Sequence, residues 1–147
     1  AIGREYRVHL DGYDLMPALQ GEGEWPRKDF IYWTDDGEPA ALRYEDWKVT
    51  FLQQNAEGLD VWAKPFEVLR APNLTNLRMD PFERARQENA MGFQRWYLER
   101  MFAIAPAAAY VGAWLQSFEE FPPRQEPGSF NLSNVMEAVT AGSQGSQ

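Results

Sequence analysis

The first half of the chain alternates apolar and polar positions in short segments, a pattern that predicts β-strands separated by tight turns. The strand candidates are Tyr6–Leu10, Phe30–Trp33, Ala40–Tyr44, Trp47–Leu52 and, as a possible addition, Leu74–Leu77. Asp35–Glu38 and Glu45-Asp46 are rich in turn formers and separate consecutive candidates. The three central segments therefore predict an antiparallel meander.

The second half shows helical spacing of its apolar positions. The predicted helices are Ala85–Ala105, Ala107–Phe121 and Asn131–Thr140, preceded early in the chain by a short helical turn over Asp14–Leu19 with Asp14 as N-cap. Pro106 is expected to end the first long helix and to occupy the first turn of the next. The coarse prediction is an α+β fold, an antiparallel sheet of about four strands packed against C-terminal helices.

The organisation along the chain indicates a single domain over residues 1–141, β-rich over 4–84 and helical over 85–141. Residues 142–147 are low in complexity and predict a flexible tail. Gln53 to Pro72 shows no clean period, so we expect a long excursion in which Trp62 and Phe66 pack on another part of the molecule.

Composition narrows the possible functions. The 147 residues carry a net charge of −8, which argues against a nucleic-acid-binding face. There is no cysteine and only one histidine, His9, so disulfides, thiolate chemistry and paired-histidine metal sites are excluded. Met101 to Phe118 lacks charged side chains, but Pro106 and many alanines favour a buried helix pair over a membrane span.

The residues alone provide no catalytic apparatus. Asp35-Asp36 could hold a divalent cation, but Asp-Gly between hydrophobic segments favours a hairpin turn. His9 lies in a strand candidate without an evident acid or nucleophile partner, so a structural role is favoured. We therefore predict no catalytic residue and no metal ligand in this chain.

Five strings, in order, resemble the C-terminal region of bacterial type I sulfatases, the arylsulfatase-like branch of the alkaline phosphatase superfamily. The matching strings are Asp11–Leu19 with Gly21, Arg27 with Phe30–Trp33, Ala41–Arg43 with Trp47-Lys48, Leu74–Leu77 with Asp80–Glu83, and Phe121–Gln125 with Pro127–Phe130. Departures from the family pattern are Tyr13-Asp14 for x-Ser, Glu45 for Gly, Thr75-Asn76 for Tyr-Asp, and Thr50 where many relatives have His.

The resemblance implies a domain that supports a sulfatase catalytic domain in a longer parent protein. The formylglycine nucleophile and the divalent cation, Ca²⁺ or Mg²⁺, are implied for that parent and not for this chain, which has no (Cys/Ser)-x-Pro-x-Arg string. Trp62 and Phe66 are the candidates for walling the substrate entrance. Isolated from its catalytic domain, the chain is expected to be inactive and to form homo-oligomers. The alternative from another class is a free-standing protein-interaction module.

Overall fold

A four-stranded antiparallel sheet in the order β1-β2-β3-β4 lies at the centre of the fold. The computed structural model describes residues 12–122 together with residues 3 and 10. The strands are β1 (Asp29–Trp33), β2 (Pro39–Tyr44), β3 (Trp47–Gln53) and β4 (Glu67–Asn76). The helices are α1 (Met16–Leu19), α2 (Asp60–Ala63), α3 (Phe93–Arg100) and α4 (Ile104–Glu120). The predicted α+β class with four antiparallel strands is confirmed.

One row of aliphatic side chains crosses all four strands. The register pairs Ile31 with Leu42, Leu42 with Val49 and Val49 with Leu74. Because directly paired residues lie on the same face of a sheet, these four side chains form a continuous apolar line. All four are buried, and Leu74 is fully so at 0% exposure.

Helix α4 covers this face of the sheet. Val111 joins Ile31 and Leu42 in the buried core. The half-buried side chains that pack against them are Phe51, Ala107, Trp114 and Leu115. At the far end of the helix, the Trp114 ring lies 5.2 Å from the Trp33 ring, centroid to centroid. The helix is therefore attached by a single stripe of apolar side chains.

The helical region differs from the sequence prediction in two respects. The first long helix begins at Phe93 instead of Ala85, and residues 85–90 form turns. The two helices also run into one another through a 3₁₀ turn over Met101–Ala103. Pro106 lies in the first turn of α4, as predicted. Its missing N–H cannot bond the carbonyl of Phe102, which explains why the α-helical pattern is interrupted just before it.

The expectation of a buried helix pair is wrong for the described residues. Phe93–Glu120 is 28 residues long with a hydropathy of 1.2, and 11% of its most apolar window is buried. By length and composition alone it is long and apolar enough to cross a membrane. A single helix of this kind carries little weight, because core helices of soluble proteins meet the same criterion.

Gln53 to Pro72 is more regular than predicted. It contains α2 and the first part of β4, which begins at Glu67. The alternation of apolar and polar residues in β4 is interrupted by a bulge. The bulge lies opposite the part of β3 between Thr50 and Leu52, where the register of the two strands shifts. Tyr97 of α3 donates its hydroxyl proton to the carbonyl of Pro72 at 2.7 Å and ties the bulge to the helix.

Two turns of the meander require the left-handed backbone conformation. Gly37 has φ +79° in the β1–β2 turn, where the Thr34 amide donates to the carbonyl of Glu38 at 2.9 Å. Glu45 has φ +51° in the β2–β3 turn, a conformation that costs a side-chain-bearing residue free energy. The hairpin interpretation of Asp35-Asp36 is thereby confirmed.

The short first helix is confirmed with a shifted start. It begins at Met16, and Leu15 occupies the N-cap position. Asp14 accepts a hydrogen bond from the Met16 amide at 3.0 Å, so it still serves the helix start. The Tyr6–Leu10 strand, His9, the Asn131–Thr140 helix and the tail over residues 142–147 lie outside the described residues, apart from residue 10.

Candidate functional site

A cleft of about 310 Å³ lies beside the edge strand β4 and next to the start of α3. We call it the β4–α3 cleft. Its wall comes from three segments: the end of β4, the turns over residues 79–90 and the first turn of α3. The side chains relevant below are Asn73, Met79, Asp80, Glu83, Phe93 and Trp96.

A half-buried ion pair holds the turn segment of this cleft on the sheet. Lys48 of β3 donates to both carboxylate oxygens of Glu83, at 2.8 and 2.9 Å. The Lys48 side chain is 17% exposed, and its Nζ lies 4.8 Å from the centroid of the Tyr32 ring. The ammonium group is thus satisfied by a carboxylate on one side and an aromatic face on the other.

The other polar side chains of the turn segment satisfy backbone groups. Asp80 accepts from the amides of Arg84 and Ala85 at 3.0 and 2.9 Å. Asn76 accepts from the amides of Arg78 and Met79, both at 3.1 Å. These side chains therefore fix the turn conformation.

Two polar atoms at the cleft have no partner within the described part of the chain. They are Oδ1 of Asn73 and Nε1 of Trp96, and both are buried from solvent. The Trp96 ring is held by stacking on Trp47, with the centroids 5.9 Å apart and the planes at 16°. The guanidinium of Arg100 lies 5.1 Å from the Trp96 ring centroid. Neither polar atom is accessible to solvent, and the Trp96 ring is held in place by its aromatic and cationic neighbours.

A second cleft, of about 360 Å³, separates the start of α4 from the sheet. It is almost wholly apolar, and its lining includes the small side chains of Ala103 in the 3₁₀ turn and Ala107 in α4. Tyr110 lies at this cleft, where burial raises the pKa of its hydroxyl and the hydrogen bond to Asp29 raises that pKa further. Nothing in this lining suggests catalysis.

The predicted entrance residues lie elsewhere. Trp62 is on α2 and is 82% exposed, while Phe66 just precedes β4 and is half-buried. The expectation that Trp62 packs on another part of the molecule is wrong in the described structure. Gln54 positions α2 instead, because its amide donates to the carbonyls of Val61 and Lys64 at 3.3 and 2.9 Å. Neither Trp62 nor Phe66 lines the two clefts.

Across residues 12–122 and residues 3 and 10, no group of three or more His, Cys, Asp or Glu side chains could hold a metal ion. Asp35 and Asp36 belong to the β1–β2 turn described above. Sequence reasoning missed the unpartnered atoms of Asn73 and Trp96. It also missed the ion pair between Lys48 and Glu83, for which the one signal in the sequence was that Lys48 is the only charged residue of β3.

Comparison with known proteins identifies no family: no protein-family model matches the chain, and no curated protein is significantly similar to it in sequence.

Proposed function

We propose that this chain is the C-terminal domain of an arylsulfatase-like sulfuric ester hydrolase, which supports the catalytic domain and has no catalytic centre of its own. The sequence strings given above suggest this family. Further support comes from positions at which the chain departs from the family pattern. At each of these positions, the local conformation in this chain can be compared with the one that the family's residue type favours.

The observation that carries the proposal is the backbone at Glu45. The family pattern has Gly at this hairpin position, and Glu45 has φ +51°, in the region that favours glycine. Glu45 therefore adopts a backbone conformation that a glycine at this position would adopt at a smaller cost in free energy. The turn is supported by the Glu45 amide, which donates to the carbonyl of Lys28 at 2.7 Å.

At two further positions, this chain and the family pattern have different residue types whose side chains both accept hydrogen bonds from backbone amides. Asp14 stands where the family pattern has Ser, and both residue types accept hydrogen bonds at helix starts, as Asp14 does from Met16. Asn76 stands where the pattern has Asp, and both types form the turn in which Asn76 accepts from two amides. These exchanges are compatible with a common fold.

The ion pair between Lys48 and Glu83 connects two strings that were matched separately. Lys48 belongs to the Trp-Lys string, and Glu83 ends the Asp-Pro-x-Glu string. A physical contact between them gives a reason for both strings to occur in one domain. It supports a shared architecture and assigns no chemistry to either residue.

The exposed apolar side chains are consistent with a domain that is covered by a partner. Around α2, Leu59, Trp62 and Val68 are 87%, 82% and 79% exposed. In the proposed parent this surface faces the catalytic domain, and Trp62 with Phe66 walls one side of the substrate entrance. Isolated, such a surface favours self-association. The formylglycine and the divalent cation belong to the parent's catalytic domain.

The free-standing interaction module remains the second candidate, favoured by the same exposed side chains. The two proposals differ in the natural gene product. A sulfatase parent requires an in-frame (Cys/Ser)-x-Pro-x-Arg string upstream of Ala1, and a module does not.

Activity assays test the proposal directly. The isolated chain should not hydrolyse an aryl sulfate in the presence of Ca²⁺ or Mg²⁺, and turnover above the buffer rate would refute the absence of a catalytic centre.

In the longer parent, Trp62→Ala should change KM for bulky aryl sulfates. Trp25→Ala is the matched control, because Trp25 is also exposed and belongs to the loop that precedes β1. Equal effects of the two substitutions would remove Trp62 from the entrance.

A further inference from the structure

We propose that the outer edge of β1 pairs antiparallel with the β1 edge of a second copy of this chain. This interface is additional to the proposed function and does not depend on it. The inference rests on the outward backbone groups of β1, on the lack of proline and lysine in that strand, and on a sequence that is complementary to itself across a twofold axis.

Every second residue of β1 directs its backbone away from the sheet. The carbonyl of Lys28 accepts from an amide of the β2–β3 turn at 2.7 Å, and the Thr34 amide donates to a carbonyl of the β1–β2 turn at 2.9 Å. Even-numbered residues of this strand therefore face β2. Because the direction alternates along an antiparallel strand, Asp29, Ile31 and Trp33 direct their N–H and C=O groups outward.

These outward groups retain hydrogen-bonding capacity for another strand. Among the described residues, the one group that bonds to them is Nε of Arg27, which donates to the Asp29 carbonyl at 2.9 Å. A backbone carbonyl has two lone pairs, so that oxygen can accept a second hydrogen bond. Phe30 and Trp33 are 41% and 36% exposed, so solvent reaches the strand near both of its ends.

The opposite edge of the sheet is protected against pairing, whereas β1 is not. β4 contains a bulge and Pro72, and the carbonyl of Pro72 accepts from the Tyr97 hydroxyl. Such features prevent edge-to-edge association. Asp29–Trp33 contains neither proline nor lysine, and the extra residue at the register shift near its end is Ala40 of β2. β1 itself therefore remains a regular edge strand.

A twofold axis at Ile31 gives the pairing that uses all three outward residues. Asp29 of each copy then pairs with Trp33 of the other, and Ile31 pairs with its counterpart, which gives about six hydrogen bonds between the copies. On the other face of the strand, Phe30 lies opposite Tyr32 of the second copy, an aromatic cross-strand pair. The neighbouring registers that keep the outward groups aligned lose one of the three pairs.

The same register brings opposite charges together, although the chain has a net charge of −8. Arg27 and Lys28 precede β1, while Asp35 and Asp36 follow it. Because the two copies run antiparallel, the basic end of one strand lies beside the acidic turn of the other. This charge complementarity favours a second copy over an unrelated strand, since one chain supplies both halves of the interface.

Disulfide cross-linking tests the register, because the chain has no cysteine of its own. The Phe30→Cys and Tyr32→Cys proteins are mixed under oxidising conditions, and Trp62→Cys, at an exposed position of α2, is the control. Directly opposite Cα atoms in this kind of pair are about 4.5 Å apart, which a disulfide can span. The mixed disulfide between positions 30 and 32 should form several-fold faster than any product that contains Trp62→Cys.

Sedimentation equilibrium of the full chain measures the dimer constant. Arg27→Glu places like charges beside each other at the interface and should weaken the dimer about tenfold. The double variant Arg27→Glu/Asp35→Arg should restore the dimer, and Trp62→Ala should leave it unchanged.

Three results would overturn the proposal. They are a monomer throughout the concentration series, cross-linking without preference for positions 30 and 32, and a dimer that Trp62→Ala abolishes while Arg27→Glu has no effect. The last result would place the interface on α2. The wild-type measurement does not depend on how any variant folds.

Discussion

The sheet and the helical stretch Phe93–Glu120 are stabilised to very different degrees. In the sheet, each strand contributes one member of the buried row formed by Ile31, Leu42, Val49 and Leu74. In the helices, Val111 is the one buried residue among those described. The comparison teaches that the sheet specifies the fold. The helices contribute one stripe of apolar side chains that packs on the sheet, and much of their remaining apolar surface faces solvent.

The largest expected effect comes from truncating the buried row. Leu74→Ala should lower the free energy of unfolding by about 2–5 kcal/mol, because it leaves a cavity at a fully buried position. Leu98→Ala on α3 is the matched control, since Leu98 is 64% exposed, and it should change stability by less than about 0.5 kcal/mol. Urea unfolding measures both. Similar losses for the two variants would contradict the division between sheet and helices.

The second-largest loss of stability is expected from removing the ion pair between Lys48 and Glu83 at the β4–α3 cleft. Glu83→Ala leaves the half-buried Lys48 ammonium without its carboxylate and should destabilise the chain by about 1–3 kcal/mol. Asp60→Ala removes the exposed pair with Lys64, whose N–O distance is a comparable 2.9 Å, and should cost less than about 1 kcal/mol. If both substitutions cost the same, the contact of the turn segment with the sheet contributes no more than a surface ion pair.

A glycine at the β2–β3 turn should stabilise the chain. Glu45→Gly relieves the left-handed conformation at φ +51° and should raise the free energy of unfolding by up to about 1 kcal/mol. The carboxylate it removes is 4.0 Å from Lys28 and exposed, so little is lost. Gly37→Ala is the opposite test at φ +79° and should destabilise by about 1 kcal/mol. Destabilisation by Glu45→Gly would remove the main structural support for the proposed family.

The smallest expected effect concerns the junction of α4 with the sheet. Folding raises the pKa of Tyr110 above the ordinary value of about 10, so folding favours the protonated hydroxyl. Its contribution is fully present below about pH 10 and is lost as the pH rises through the folded pKa. The stability difference between wild type and Tyr110→Phe should therefore stay constant up to about pH 9 and shrink as the pH rises above about 10. A constant difference would show that Asp29 and burial do not act on Tyr110.

The sheet could be predicted from the sequence because its determinants are local. Alternation and turn residues located the first three strands, and Leu74–Leu77 located part of the fourth. The start of β4 was missed because its bulge interrupts the alternation opposite Phe51. The helices were predicted in kind, but residues 85–90 form turns, and Asp80 accepts a hydrogen bond from the Ala85 amide where these turns begin.

The candidate sites were harder to predict for a physical reason. Trp62 was expected to pack because tryptophan is usually buried, yet α2 is a single turn that cannot cover it. The Trp96 ring stacks on Trp47, but its unpartnered Nε1 depends on where β4 and the turn segment lie. Local patterns contain no information on such hydrogen-bond partners, because they come from distant segments.

The most direct test of the central claim is the identity of the natural protein that contains this chain, determined by the reading frame and by intact mass. The account predicts a product several hundred residues longer, with a (Cys/Ser)-x-Pro-x-Arg string upstream of Ala1. A natural product without that string would contradict the assignment of this chain to a sulfatase.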